Sequence, residues 1–130
     1  MAEVKNNLKI LLVDDDKFLL DMYLLKFKKS GLNIDTASTG TMALDKIKSG
    51  TEYDIILMDI IMPGMDGLEL LGQIREQKLV PNASIIMLTN QADDEEKAKA
   101  LGVNGYIIKA TTIPSEVVDK VLGIYKDNKK

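Results

Sequence analysis

The stretch Leu8–Asp16, LKILLVDDD, runs as an apolar segment through Val13 and then stops on three consecutive acids. A short run rich in Ile, Leu and Val reads as a strand buried on both faces. Four more such runs follow: Ile34–Ala37, Ile55–Met58, Ile85–Leu88 and Tyr106–Ile108. The spacers between them suit crossover helices. Phe18–Lys29 carries Leu20, Tyr23, Leu24 and Phe27 before Gly31 stops it. Thr41–Lys48 puts Ala43, Leu44 and Ile47 on one face, and Leu68–Gln77 does the same with Leu70, Leu71 and Ile74. Asp93–Leu101 opens on acids and continues with Lys97 and Lys99, which suits the helix dipole at both ends. From Pro114, a Val117, Val118, Val121, Leu122, Tyr125 stripe predicts a last helix, with Lys126–Lys130 as a frayed tail. Five strands alternating with five helices predict an α/β doubly wound parallel sheet.

The 130 residues suit one domain with a core over about residues 8–126, and no linker, repeat or output domain is read from them. A net charge of −3 gives no basic excess for nucleic acid. Cysteine and histidine are both absent, so disulfides, thiolate nucleophiles, the usual zinc sets and a histidine base are excluded. No stretch reaches the roughly 20 apolar residues of a membrane span. Leu8–Val13 is too short for the apolar region of a signal peptide, so a cytoplasmic location is expected.

The informative side chains sit where the apolar runs stop. Asp14, Asp15 and Asp16 follow the first run, Asp59 the third, Thr89 the fourth and Lys109 the fifth. In a parallel α/β sheet the carboxyl ends of the strands share one edge, and ligands bind there at a topological switch point. If the strand order is 2-1-3-4-5, the first and third strands are neighbours, about 4.7–4.9 Å apart, and Asp14 or Asp15 would lie beside Asp59. Like charges that close oppose one another's ionisation. A hard cation such as Mg²⁺ with oxygen ligands removes the conflict. Acids, one hydroxyl and one lysine are also what phosphoryl transfer to a carboxylate needs. Any one of these residues alone is ordinarily a solvated loop residue or a helix cap; their joint placement at four strand ends carries the reading.

Leu11–Asp16 (LLVDDD), Leu57–Gly67 (LMDIIMPGMDG), Met87–Thr89 (MLT) and Gly105–Lys109 (GYIIK) resemble the signature segments of response-regulator receiver domains. Ala37–Leu44, ASTGTMAL, resembles the same family's second strand and helix. The resemblance implies a flavodoxin-like fold and a phosphorelay switch of two-component systems, not an enzyme beyond its own phosphorylation and dephosphorylation. Asp59 would accept the phosphoryl group from a histidine kinase or phosphotransfer protein. Asp14, Asp15, Asp59 and the backbone carbonyl of Ile61 would hold Mg²⁺. Lys109 would pair with the phosphoryl group, and Thr89 and Tyr106 would act as the switch. Pro63, Gly64 and Gly67 would shape the loop after the acceptor, where glycine permits positive φ. The output surface would be the fourth helix, fifth strand and fifth helix, facing an unidentified effector protein or a second copy on activation. Asp16 is read as a helix cap.

The chain departs from the family pattern at two positions. Ala110 stands where proline usually follows the lysine, so a trans Lys109–Ala110 peptide and a rearranged loop at Thr111–Thr112 are expected. Asn90 stands where a small residue is usual and should narrow access to the phosphate. Ile61 and Gln91 flank the path of an attacking water, and an apolar Ile61 predicts slow hydrolysis. Two competing functions share some of these residues. An aspartate-nucleophile phosphotransferase of the haloacid-dehalogenase type would use Asp14, Asp16, Thr89, Asn90 and Lys109, but it leaves Asp59 without a role. A pseudo-receiver would keep the fold as a binding module without phosphorylation. A flavodoxin-type flavin site is least favoured, because three acids in the first loop repel phosphate.

Overall fold

The computed structural model describes residues 8–129. Five strands form one parallel sheet: β1 (Lys9–Val13), β2 (Asn33–Ala37), β3 (Ile55–Met58), β4 (Ser84–Thr89) and β5 (Gly105–Ile108). Their order is β2-β1-β3-β4-β5, as expected. The helices are α1 (Lys17–Lys29), α2 (Gly40–Lys48), α3 (Gly67–Glu76), α4 (Glu95–Ala100) and α5 (Pro114–Asn128).

The period-2 alternation of each central strand feeds two separate cores. Leu11, Val13, Ile56, Met58, Ile85 and Met87 point to the face covered by α2, α3 and α4. Ile10, Leu12, Ile55, Leu57, Ile86 and Leu88 point to the face covered by α1 and α5. Both faces of β1, β3 and β4 are therefore dry, which is why these runs carry no polar residue on their central positions.

Local chemistry sets the helix ends. Asp16 caps α1, its Oδ1 accepting from the N–H groups of Phe18 and Leu19 at 3.0 and 3.2 Å. Asp66 and Glu69 form a reciprocal capping box at the start of α3. Pro114 occupies the first turn of α5.

Two expectations are corrected. Residues 126–128 are not a frayed tail: α5 continues to Asn128, whose Nδ2 donates to Ser84 Oγ at 2.8 Å. Asn104 Nδ2 donates to Asn128 Oδ1 at 3.0 Å, so the helix end is pinned to the amino-terminal edge of the sheet. Lys130 lies outside the described residues. The fourth helix is shorter than Asp93–Leu101, because Ala92–Asp94 forms a 3₁₀ turn and only Glu95–Ala100 is α-helical. Ala98 is its one buried residue, so little apolar area holds it. Arg75 of α3 supplies the other tether, donating from Nη2 to Gly102 O at 2.6 Å and from Nε to Leu101 O at 3.3 Å.

At the opposite edge from the acids, the buried Tyr53 donates its hydroxyl to Asp35 Oδ2 at 2.8 Å. Burial, then the bond to Asp35, pushes the phenol up to about 12. Removing one such bond costs about 1 kcal/mol, the expected loss in Tyr53→Phe by urea unfolding near neutral pH. The folded pKa lies above the ordinary value of about 10. The stabilisation is therefore complete below pH about 10 and lost as pH rises towards 12, so the two proteins should converge there.

Candidate functional site

The register delivers the acids. Val13 pairs with Met58 across β1 and β3, so Asp14 and Asp59 are the next residues on adjacent strands. Asp59 N–H donates to Val13 O at 3.0 Å, and Asp14 N–H donates to Ala37 O at 3.1 Å. Backbone bonds to the ends of β1 and β2 thus hold both acids. On the other side Thr89 pairs with Ile108, and Lys109 follows at the same edge.

Lys109 reaches across β4 to the acids. Its Nζ donates to Asp14 Oδ2 at 2.6 Å and to Asp59 Oδ2 at 2.8 Å, and all three side chains are nearly buried. The remaining carboxylate oxygens are also used. Asp14 Oδ1 accepts from Asp16 N–H at 2.9 Å, and Asp59 Oδ1 accepts from Ile60 N–H at 2.7 Å. Burial pushes the Asp14 carboxyl up, against the pull of Lys109 and the Asp16 amide. Burial also works against the Lys109 ammonium, but the bonds to Asp14 and Asp59 outweigh it and lift its pKa above the ordinary lysine value. The lysine stays charged. Tyr106 is shifted up as well, by burial and then by the acids at Asp94 and Glu95.

Asp15 is exposed at the mouth and completes an acidic set with Asp14 and Asp59, their oxygens within 4.8 Å of one another. Two oxygens on opposite sides of one Mg²⁺ lie about 4.2 Å apart, twice its bond length. The cluster therefore fits such an ion after a small side-chain adjustment. Charge fits too, because three carboxylates face one ammonium. All the donors are hard oxygens, as a hard cation requires.

The acids open into a cleft of about 370 Å³ whose walls include Ile61, Thr89, Asn90 and Lys109. Ile61 is 60% exposed there. Thr89 is fully buried, its Oγ1 accepting from Gln91 N–H at 3.2 Å. The Tyr106 hydroxyl donates to Gln91 O. All described peptide bonds are trans, including Lys109–Ala110, and a 3₁₀ turn over Lys109–Thr111 follows β5 with Thr112 buried behind it.

The glycines of the loop after Asp59 do different jobs from one another. Gly64 has φ +74° and uses glycine's left-handed freedom. Gly67 does not. A Cβ there would lie 2.2 Å from Asp59 O and 2.8 Å from Ile60 Cα, so this glycine is required by close backbone approach. Sequence reasoning missed that distinction, and it also missed a bond from Ala110 N–H to Asn90 Oδ1 at 2.8 Å.

A parallel sheet of this order, with acids and a lysine converging at its switch point, is the arrangement that the resemblance to receiver domains implies. The family profile described as "Response regulator receiver domain" matches residues 10–121, and the chain belongs to that family. It is 40% identical over 128 residues to the transcriptional regulatory protein ResD of Bacillus subtilis, covering 93% of this chain and 49% of ResD. It is 34% identical over 125 residues to the chemotaxis protein CheY-3 of Vibrio cholerae, covering 92% of this chain and 95% of CheY-3. The chain thus spans about half the length of ResD but nearly all of CheY-3. Among solved structures, CheY4 of Vibrio cholerae superposes with TM-score 0.82 at 28% identity, covering 90% of this chain and 98% of that one. The response regulator TrrA of Thermotoga maritima, in complex with Mg²⁺ and BeF, superposes with TM-score 0.78 at 34% identity over 90% and 98% of the two chains.

The chain is a receiver domain of two-component phosphorelay signalling, and the phosphotransferase and pseudo-receiver alternatives are not favoured. No described helix is long and apolar enough to cross a membrane.

Proposed function

We propose that Asp59 accepts a phosphoryl group from the phosphohistidine of a histidine kinase or phosphotransfer protein. The observation that carries this is the Lys109 ammonium bridging Asp14 and Asp59 at the floor of an open cleft. A buried carboxylate pair held by a single lysine is costly unless the site is built for more charge, and here the third acid and the cleft supply the place for it. An Asp59 oxygen forms the new P–O bond as the donor's P–N bond breaks, and the leaving imidazole keeps that bond's electron pair. Lys109 then follows the charge from the carboxylate to the phosphoryl oxygens, and Thr89 donates its hydroxyl to another. Asp14, Asp15, Asp59 and the Ile61 carbonyl hold Mg²⁺, which when bound offsets charge on those oxygens.

Capture of the Thr89 hydroxyl releases its acceptance from Gln91 N–H and frees room for Tyr106 to turn inward. That rearrangement biases the α4–β5–α5 face, where α4 is the least anchored element, towards an effector protein or a second copy. In test, uptake from acetyl phosphate should require Mg²⁺ and stop with chelator. Asp15→Asn should weaken Mg²⁺ by about tenfold or more, the loss seen even when only groups behind the ligands are altered. Uptake without any divalent cation would overturn the metal assignment.

Phosphate lifetime follows from the cleft wall. Ile61 is apolar and cannot orient an attacking water, so the phosphoryl-Asp59 bond is long-lived. Ile61→Asn should shorten that lifetime several-fold. An unchanged decay rate in purified phosphorylated protein would count against this role.

A further inference from the structure

We infer that Asn90 is a positioning residue for Lys109, acting through the backbone of Ala110. Lys109 roots beside an edge strand, yet its ammonium must meet Asp59 two strands away and Asp14 three strands away. Strands lie about 4.8 Å apart, so a small rotation at the root becomes a large displacement at Nζ. The root itself is a 3₁₀ turn, Lys109–Thr111, which has no capping side chain at its start. Its own bonds are long, Thr112 N–H to Lys109 O at 3.3 Å and Thr111 Oγ1 to Ile108 O at 3.4 Å, so a shorter bond from outside the turn tightens it.

The segment after β4 supplies bonds from two sides. The Asn90 carboxamide oxygen accepts Ala110 N–H at 2.8 Å, immediately after the lysine. Gln91 O accepts the Tyr106 hydroxyl, three residues before it. Gln91 N–H in turn bonds to Thr89 Oγ1. Residues 89–91 thus bracket the stretch that carries Lys109, and Ala110 can join because, unlike proline, it has an N–H to give. The side chain of Asn90 is spent on this bond as well as lining the cleft. The bond also ties the loop beside Thr89 to the loop beside Lys109.

The inference rests on Asp59 as acceptor with Lys109 as its partner, and the test separates the two. Phosphoryl uptake from acetyl phosphate is measured with Mg²⁺ for the wild type, Asn90→Ala, Lys109→Ala and the double variant, with amide exchange at Ala110 followed by NMR. Asn90→Ala should expose the Ala110 N–H to exchange and slow uptake about tenfold, as loss of roughly one hydrogen bond's constraint predicts. In the Lys109→Ala background Asn90→Ala should add nothing, because its effect passes through the lysine. Asn90→Asp, which keeps the acceptor oxygen, should restore Ala110 protection. Equal slowing in both backgrounds, unchanged Ala110 exchange in Asn90→Ala, or faster uptake would overturn the inference; the last would assign Asn90 to access instead. A wild type that takes up no phosphoryl group would instead overturn the reading of Asp59 on which it rests.

Discussion

Asp59→Asn should abolish phosphoryl uptake and leave the fold standing. The substitution keeps an oxygen that can accept from Ile60 N–H and from the Lys109 ammonium, the two bonds that hold the native side chain. It removes only the nucleophilic carboxylate. A single-oxygen amide is a poor nucleophile towards phosphorus, and neither Asp14 nor Asp15 is placed to replace it. Asp14 is 1% exposed with both oxygens engaged, and Asp15 stands at the mouth of the cleft. One negative charge fewer among three acids relieves mutual repulsion, so thermal stability without Mg²⁺ should be unchanged or raised. Intact mass after incubation with acetyl phosphate, beside a thermal melt, reads both halves. Uptake at the wild-type rate with the fold intact would move the acceptor elsewhere.

The second large effect falls on stability, at Gly67. A methyl group there meets backbone atoms, Asp59 O at 2.2 Å and Asp59 C at 2.9 Å, not the movable end of a side chain. Gly67 N–H also donates to Ile60 O at 2.8 Å, which draws the start of α3 onto the acceptor's own backbone. Gly67→Ala must push these apart, at a cost of about 3 kcal/mol, a large share of the roughly 5–15 kcal/mol that holds a domain together. It should also slow phosphoryl uptake in whatever fraction stays folded, because Asp59 is what moves. Gly72, inside the same helix, is the control. Its Cβ would meet nothing within 4 Å, so Gly72→Ala should be neutral or stabilising, by up to about 1 kcal/mol of helix propensity. Urea unfolding of the two variants should give opposite signs. Equal stabilities would mean that the loop yields freely.

The strands and the site were readable because one physical conflict marks both. A dry strand such as Ile55–Met58 tolerates no charge, so the residue where it stops is conspicuous, and four such stops fell on one edge. Parallel register did the rest, setting Asp14 beside Asp59 through the pairing of Val13 with Met58. What stayed hidden depends on pairs distant in the chain. The end of α5 looked like a tail because Lys126–Lys129 is polar, yet Asn128 finds Ser84 forty-four positions earlier. Gly67 looked like a turn glycine, and only the approach of Asp59 O shows otherwise. Asn90 and Ala110 each read as a departure from a pattern, and the bond between them joins the two. Helix α4 came out shorter than its charge pattern implied, since flanking acids and lysines support a helix but Ala98 is its one buried residue.

Chemical trapping shows whether Asp59 carries the phosphoryl group. The chain is incubated with Mg²⁺ and acetyl phosphate and reduced with borohydride, which converts an acyl phosphate of aspartate to homoserine; the peptides are then mapped by mass. Homoserine is expected at position 59, dependent on Mg²⁺. Homoserine at position 14 or 15, or none at all in a folded protein that binds Mg²⁺, would contradict it.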